Sequence, residues 1–297
     1  MTTARRSLAV LASLTIAAVA LGGCGRPSGP AGREGRAQTI RMIGSTTVLP
    51  LGERWQEEFN KQHPEVDIAV SGGGSGTGVK ALISGTAEIA MSSRDIKEAE
   101  VEQARAAGVT LVEHTVAYDG IAVIVNPANP LKDISLQRLS DIYAGVVRDW
   151  SALRVSGLGE IQLISRDSAS GTYEVFKEIV VTLEGSEKSR DYAPEALKQT
   201  SNQAILTLVS RTKGAIGYVG LGYVDGSVTL LPVSAGKEGE AVFPAAEAVR
   251  DGSYPIARKL HLYTNGDPSG PTKEFLDWIK GNEGQAIVGE LGFVPAG

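Results

Sequence analysis

Residues Arg166 to Thr172 read Arg-Asp-Ser-Ala-Ser-Gly-Thr, between an apolar run (Ile161, Leu163, Ile164) and apolar residues at helical spacing (Tyr173, Val175, Phe176, Ile179, Val180). That order predicts a strand, a turn crowded with hydroxyls, and the start of a helix. Unpaired N–H groups and about half a positive charge at a helix N-terminus can hold a small tetrahedral anion, and Arg166 adds a full charge on a planar donor fork. Taken alone, Ser170-Gly171-Thr172 reads equally well as an ordinary N-cap. Repetition shifts the balance. Gly44-Ser45-Thr46-Thr47 follows an extended Thr39–Ile43 and precedes Leu51, Trp55 and Phe59 at four-residue spacing. Ser71-Gly72-Gly73-Gly74-Ser75-Gly76-Thr77-Gly78 follows the strand 66–70 and opens a helix through Val79, Leu82 and Ile83. Glycines let a ligand approach the backbone, and hydroxyls donate without adding charge. Three such turns can converge on one oxyanion.

Rival chemistries fit less well. A P-loop needs Gly-x-x-x-x-Gly-Lys-Ser/Thr, whereas Lys80 here lies between Val79 and Ala81. A dinucleotide fingerprint needs Gly-x-Gly-x-x-Gly, and Gly74 to Gly78 run Gly-x-Gly-x-Gly. Neither Ser75 nor Ser170 sits in Gly-x-Ser-x-Gly, and a serine hydrolase or phosphatase would need a base beside one of them that the sequence does not reveal. His63, His114 and His261 are scattered, outside any metal-ligand spacing. No catalytic residue, metal or cofactor is expected.

The elements that must position these turns alternate between short apolar strands and helical segments, an α/β pattern. The strand Leu111–Val116 leads through Ala117-Tyr118-Asp119-Gly120 into a very apolar strand, Ile121–Val125, and a second extended crossing is expected at Ala215–Val219. Two crossings imply two α/β lobes with a cleft between them, the first discontinuous (38–117 plus 220–297) and the second spanning 118–219. Ligands in open α/β sheets sit at the carboxyl ends of strands, where all three turns fall.

The ordered motifs carry a family resemblance from about Ile40 to the C-terminus. They are Gly44-Ser45-Thr46-Thr47, Gly74-Ser75-Gly76, Met91-Ser92-Ser93-Arg94, Arg166 with Ser170-Gly171-Thr172, Gly214 to Val219, Glu283-Gly284-Gln285 and Gly292-Phe293-Val294-Pro295. In these the chain resembles the periplasmic phosphate-binding proteins that feed an ABC importer. The resemblance implies a two-lobed, type II periplasmic-binding-protein fold and inorganic phosphate in the cleft, with sulfate or molybdate as alternative ligands. Carried over by position, the ligands would be Thr46, Thr47, Ser75, Arg166, Ser170, Gly171 and Thr172. Ser45 and Gly76 in the same turns, with Ser93 and Arg94 in the Met91–Arg94 motif, complete the candidate set. Arg94 reads either as a ligand or as a partner of Asp95 or Glu98. Well-known members place an aspartate where this chain has Ser93, and that carboxylate accepts the proton of bound phosphate. A serine does not repel a fully ionised anion, so selectivity here falls to another acceptor, with Asp95 and Asp167 the nearby carboxylates.

A chain of 297 residues exceeds what one core usually holds. Arg5 and Arg6 precede an apolar stretch from Leu8 to Leu21 and then Gly22-Gly23-Cys24, which reads as a signal peptide over 1–23. Leu21-Gly22-Gly23-Cys24 resembles a bacterial lipobox, so Cys24, the only cysteine, would carry lipid and hold the protein to a membrane of the periplasm or cell envelope. The Gly/Pro/Arg/Ser-rich stretch 24–37 suits a flexible tether. Removing residues 1–23 takes away two arginines and no acid, moving the net charge from −5 to −7. So acidic a chain without a basic stripe is a poor partner for nucleic acid. The expected partners are phosphate and the membrane subunits of an importer, bound by a monomer.

Overall fold

The computed structural model describes residues 39–236 and 239–297. The segments expected to be a signal peptide (1–23) and a tether (24–37), with Cys24, lie outside them. The first α/β run comprises β1 (Thr39–Gly44), α1 (Leu49–Gln62), β2 (Asp67–Gly72), α2 (Ser75–Ile83), β3 (Ile89–Ser92) and α3 (Glu98–Ala106). Strand β1 alternates, burying Ile40 and Met42. It lies parallel between β2 and β3, with Gly44 opposite both Gly72 and Met91, so the three carboxyl ends finish level. Helix α1 starts immediately after the Thr46-Thr47 turn, with Pro50 in its first turn, where the missing N–H costs nothing. Its Leu51, Trp55 and Phe59 are fully buried, each such side chain contributing about 1.5–3 kcal/mol.

Strand β4 (Leu111–Val125) is continuous over 15 residues, where the sequence was read as two strands with a link. It continues because both halves find partners. After it come β5 (Ile134–Ser135), α4 (Leu136–Tyr143), β6 (Gln162–Arg166), α5 (Gly171–Phe176), β7 (Leu197–Gln199), α6 (Asn202–Arg211), β8 (Ala215–Gly220), β9 (Thr229–Leu231), β10 (Val233–Ser234) and α7 (Ala246–Arg250). The chain returns through β11 (Ala257–Asn265) and closes with α8 (Gly270–Lys280), α9 (Asn282–Glu290) and β12 (Val294–Pro295). The path across the sheet is β2-β1-β3-β11-β4-β8-β6-β7. Residues 111–120 of β4 pair antiparallel with β11, and residues 121–125 pair with β8 and β9. Helix α5 is shorter than its apolar pattern predicted, because Lys177–Val181 continues it as a π turn.

Two α/β lobes follow from the cores. One gathers Ile40, Met42, Trp55, Phe59, Val116, Leu260 and Phe275. The other lies on both faces of the far half of the sheet, around Ile121, Trp150, Phe176, Tyr218 and Ile256 on one side and Ile124, Ile164, Ile205 and Val219 on the other. Leu231, Val233, Val249 and Tyr254 belong to this second core, although the sequence had assigned everything after 219 to the first lobe. Strand β8 stays buried inside that core, and β11 makes the return crossing. Both strands are apolar and extended, and only pairing distinguishes them. No helix among the described residues is long and apolar enough to cross a membrane.

Candidate functional site

The three hydroxyl-rich turns meet between the lobes. Gly44 has φ +146°, and a Cβ there would lie 2.2 Å from the Met91 carbonyl oxygen, so glycine is required for the Ser45 amide to reach that oxygen at 2.9 Å. The Ser45 Oγ accepts from Thr47 N at 3.1 Å, which fixes the turn and frees the Thr46 and Thr47 side chains to face the cleft. In the second turn, Gly74 N donates to Gly44 O at 2.8 Å and Gly76 N donates across the cleft to Ala169 O at 3.2 Å. Ser75 Oγ accepts from Ser93 N at 3.1 Å and lies 3.4 Å from Ser93 Oγ. In the third turn, Ser170 Oγ caps α5 through Tyr173 N at 3.3 Å. A Cβ on Gly171 would stand 2.4 Å from Ser75 Oγ and 2.7 Å from Ser93 Oγ, so its bare backbone brings the two lobes into contact. Thr172 Oγ1 lies 3.1 Å from Thr47 Oγ1. Ser45, Thr47, Ser75, Ser93, Ser170 and Thr172 are all nearly fully buried, and Thr46 is 9% exposed.

Arg166 is 1% exposed at the end of β6. Its guanidinium donates to Thr46 Oγ1 at 2.9 Å, Thr200 O at 3.0 Å, and Asn202 Oδ1 and Gln199 O at 3.3 Å. All four acceptors are neutral, and no carboxylate among the described residues lies within ion-pair distance. Asp167 instead caps its own turn through Ala169 N at 2.9 Å. Burial draws the Arg166 pKa down, yet an arginine stays protonated. The aromatic cluster beneath holds it in place: Tyr218 stacks on Phe176 at 3.8 Å, and its hydroxyl accepts from Arg166 N at 3.3 Å.

Arg94 was counted as a candidate ligand, but its guanidinium is occupied. It donates twice to Glu100, at 2.8 Å each, and its Nε lies 2.5 Å from Glu174 Oε2 on the opposite lobe, a close ion pair without hydrogen-bond alignment. Lys97 Nζ reaches the other Glu174 oxygen at 2.5 Å. Asp95 is also absent from the cleft. Its side chain is 85% exposed and faces His261 Nε2 at 3.0 Å. Asp95, Glu113 and His261 bring ligand atoms within 4.8 Å of one another, but the two carboxylates face opposite nitrogens of the ring, which one imidazole cannot turn to a single ion. A cavity of about 840 Å³ opens beside the hydroxyl ring, past Arg94, Glu174, Lys177, Arg258 and Lys259.

Four residues missed in the sequence complete the site. Asn202, fully buried at the start of α6, donates to Thr47 Oγ1 at 3.2 Å while accepting from Arg166. The Tyr223 hydroxyl donates to Thr46 O. Asp119 on β4 and Arg258 on β11 face each other in register. Arg258 Nη2 and Nε lie 2.7 and 3.0 Å from Asp119 Oδ2, and the two side chains are 3% and 0% exposed. Arg258 also donates to Thr172 Oγ1 at 2.8 Å and Thr47 Oγ1 at 3.3 Å. A signal was available for this pair: Asp119 is the lone acid in the apolar run 116–125, and Arg258 alternates in phase with Ile256 and Leu260.

Two α/β lobes closed over a buried, hydroxyl-lined site define a bilobal solute-binding protein. Residues 29–283 match the PBP superfamily domain. The chain is 34% identical over 266 residues to the phosphate-binding protein PstS of Bacillus subtilis (strain 168), spanning 89% of this chain and 83% of that one. It is 30% identical over 278 residues to PstS of Pseudomonas aeruginosa, spanning 88% and 84%. Among solved structures, a Clostridium perfringens protein with bound phosphate superposes with a TM-score of 0.77 at 32% identity, covering 88% of this chain and all of that one. An ABC-type phosphate transport receptor from Vibrio cholerae superposes at 0.68 with 30% identity, covering 86% and 99%. The chain belongs to the PBP superfamily and, within it, to the PstS phosphate-binding protein family.

Proposed function

We propose that this chain is an extracytoplasmic receptor that encloses inorganic phosphate between its lobes and delivers it to the membrane subunits of an ABC importer. The observation that carries this reading is Arg166: a guanidinium 1% exposed, bonded only to neutral oxygens, and ringed by hydroxyls from both lobes. A buried cation without a counter-charge is costly, and a bound oxyanion removes that cost. The anion takes the donors of Thr46, Thr47, Ser75, Ser93, Ser170 and Thr172, the Gly171 backbone, and the helix N-termini behind them. Closure substitutes these fixed donors for the ion's water.

The two lobes, residues 39–117 with 260–297 and residues 121–256, turn about the strands that join them. Binding without turnover is the role assigned to the serines. Ser75 Oγ accepts from a backbone amide and Ser170 Oγ caps a helix, so neither is presented to a base. Cys24, at the lipobox, carries the lipid that keeps a monomeric receptor beside its transporter. Calorimetry with phosphate, sulfate and molybdate tests the reading. Phosphate should bind with a stoichiometry of one and at least about tenfold more tightly than either competitor. Tighter sulfate or molybdate binding would reassign the ligand, and no binding of any of them would end the proposal.

A further inference from the structure

Three cations in and around the closed site are balanced by carboxylates, and one is not. Arg94 and Lys97 face Glu100 and Glu174, and Arg258 faces Asp119, leaving Arg166 unpaired. We infer that Asp119, by neutralising Arg258, holds the net charge of the site at one positive unit and so makes it select a singly charged oxyanion such as H2PO4⁻ over a dianion such as sulfate. This rests on the phosphate reading above and deepens it.

Geometry supports the assignment. Asp119 Oδ1 accepts from Leu221 N at 3.0 Å and Oδ2 accepts from Arg258, so the carboxylate is held on both sides. A Cβ on Gly220 would lie 3.0 Å from Oδ2 and 2.9 Å from Thr47 Cγ2, which puts the charge against the first ligand turn. Arg258 then acts on hydroxyls. Thr47 Oγ1 accepts from Arg258 and Asn202, which fills both of its acceptor positions and leaves it only a proton to give. Thr172 Oγ1 accepts from Arg258 at 2.8 Å and is likewise turned toward donation. Arg258 therefore delivers its charge indirectly, and Asp119 cancels the excess. Asp119 is a positioning residue.

The test is the phosphate-to-sulfate affinity ratio at fixed neutral pH, measured by calorimetry on the whole protein. Asp119→Asn keeps the shape and the Leu221 bond while exposing the second positive charge. It should raise sulfate affinity and narrow the ratio by about tenfold or more, as expected for a unit charge a few ångströms away at an effective dielectric near 20. Adding Arg258→Gln to that variant removes the exposed charge and should restore the wild-type ratio. Arg258→Gln alone leaves Asp119 unopposed and should widen the ratio, so it decides the question if Asp119→Asn does not fold. A pair serving only as structural support would weaken both anions in parallel, and unchanged ratios in the folded variants would overturn the inference. Failure of the wild type to bind phosphate would instead strike the function proposed above.

Discussion

Arg166 is where charge and burial conflict most sharply in the resting protein. Its partners are all neutral, so the cation has no internal counter-charge. Arg166→Ala should therefore lose about 2–5 kcal/mol of phosphate binding, the range for removing one partner of a buried charge pair. Its ligand-free melting temperature should stay within a few degrees of wild type, since no internal ion pair is broken. Calorimetry beside a thermal melt checks both, and near-native affinity would remove Arg166 from the site. This residue was legible because it shares a turn with Ser170 and Thr172. Arg94 was equally visible in its motif, but its partners Glu100 and Glu174 come from the next helix and from the other lobe, and no local spacing records such a meeting. Asp119 and Arg258 each stood out as a charge in an apolar strand, but that they pair follows only from the sheet register.

At the scale of elements, α5 does two jobs. Its first residues close the anion turn, and Glu174, one turn in, reaches across to Arg94 and Lys97. Burial alone would push the Arg94 pKa down, but Glu100 and Glu174 outweigh it and hold the pKa above its ordinary value. The contact bridges the two lobes, so Glu174→Gln should speed phosphate release and weaken binding by about 1.5–3 kcal/mol, the range for a hydrogen bond to a charged group. Stopped-flow release should show most of the change in the off-rate, and an unaltered off-rate would reduce the contact to surface decoration. Helix and strand order was readable from periodicity and turn chemistry. The continuity of β4 and the return through β11 were not, because an extended apolar segment does not announce which sheet neighbour it will take.

For the whole molecule, stability should depend on pH through a group remote from the anion. His114 is buried, with Lys280 Nζ donating to its Nδ1 at 3.0 Å and Thr264 Oγ1 3.0 Å from Nε2. Burial first, and the Lys280 charge second, hold its pKa below 6.5. The unfolded chain thus takes up the proton before the folded one, and stability falls as pH drops through about 6.5. Urea unfolding at several pH values from neutral to mildly acidic should show that decline in wild type and a flatter profile in His114→Gln. Equal slopes would clear His114 of the effect. The proposed anchoring is tested separately. Cys24→Ser should move the protein from the membrane fraction to the soluble envelope fraction, because stable retention needs more than one acyl chain and a lipoprotein cysteine supplies them. Equal membrane recovery would count against the lipobox.

The joining strands have a kinetic consequence. Asp119 and Arg258 sit opposite each other on β4 and β11, the two strands that pass from one lobe to the other. Points on an axle travel least when the wheel turns. On the selectivity inferred above, an anion diffusing into an opened cleft should therefore find this pair already oriented, while Arg166, on one lobe, travels with the closure. Recognition of charge should then precede capture, so that an ion of the wrong valence is turned away before the lobes close.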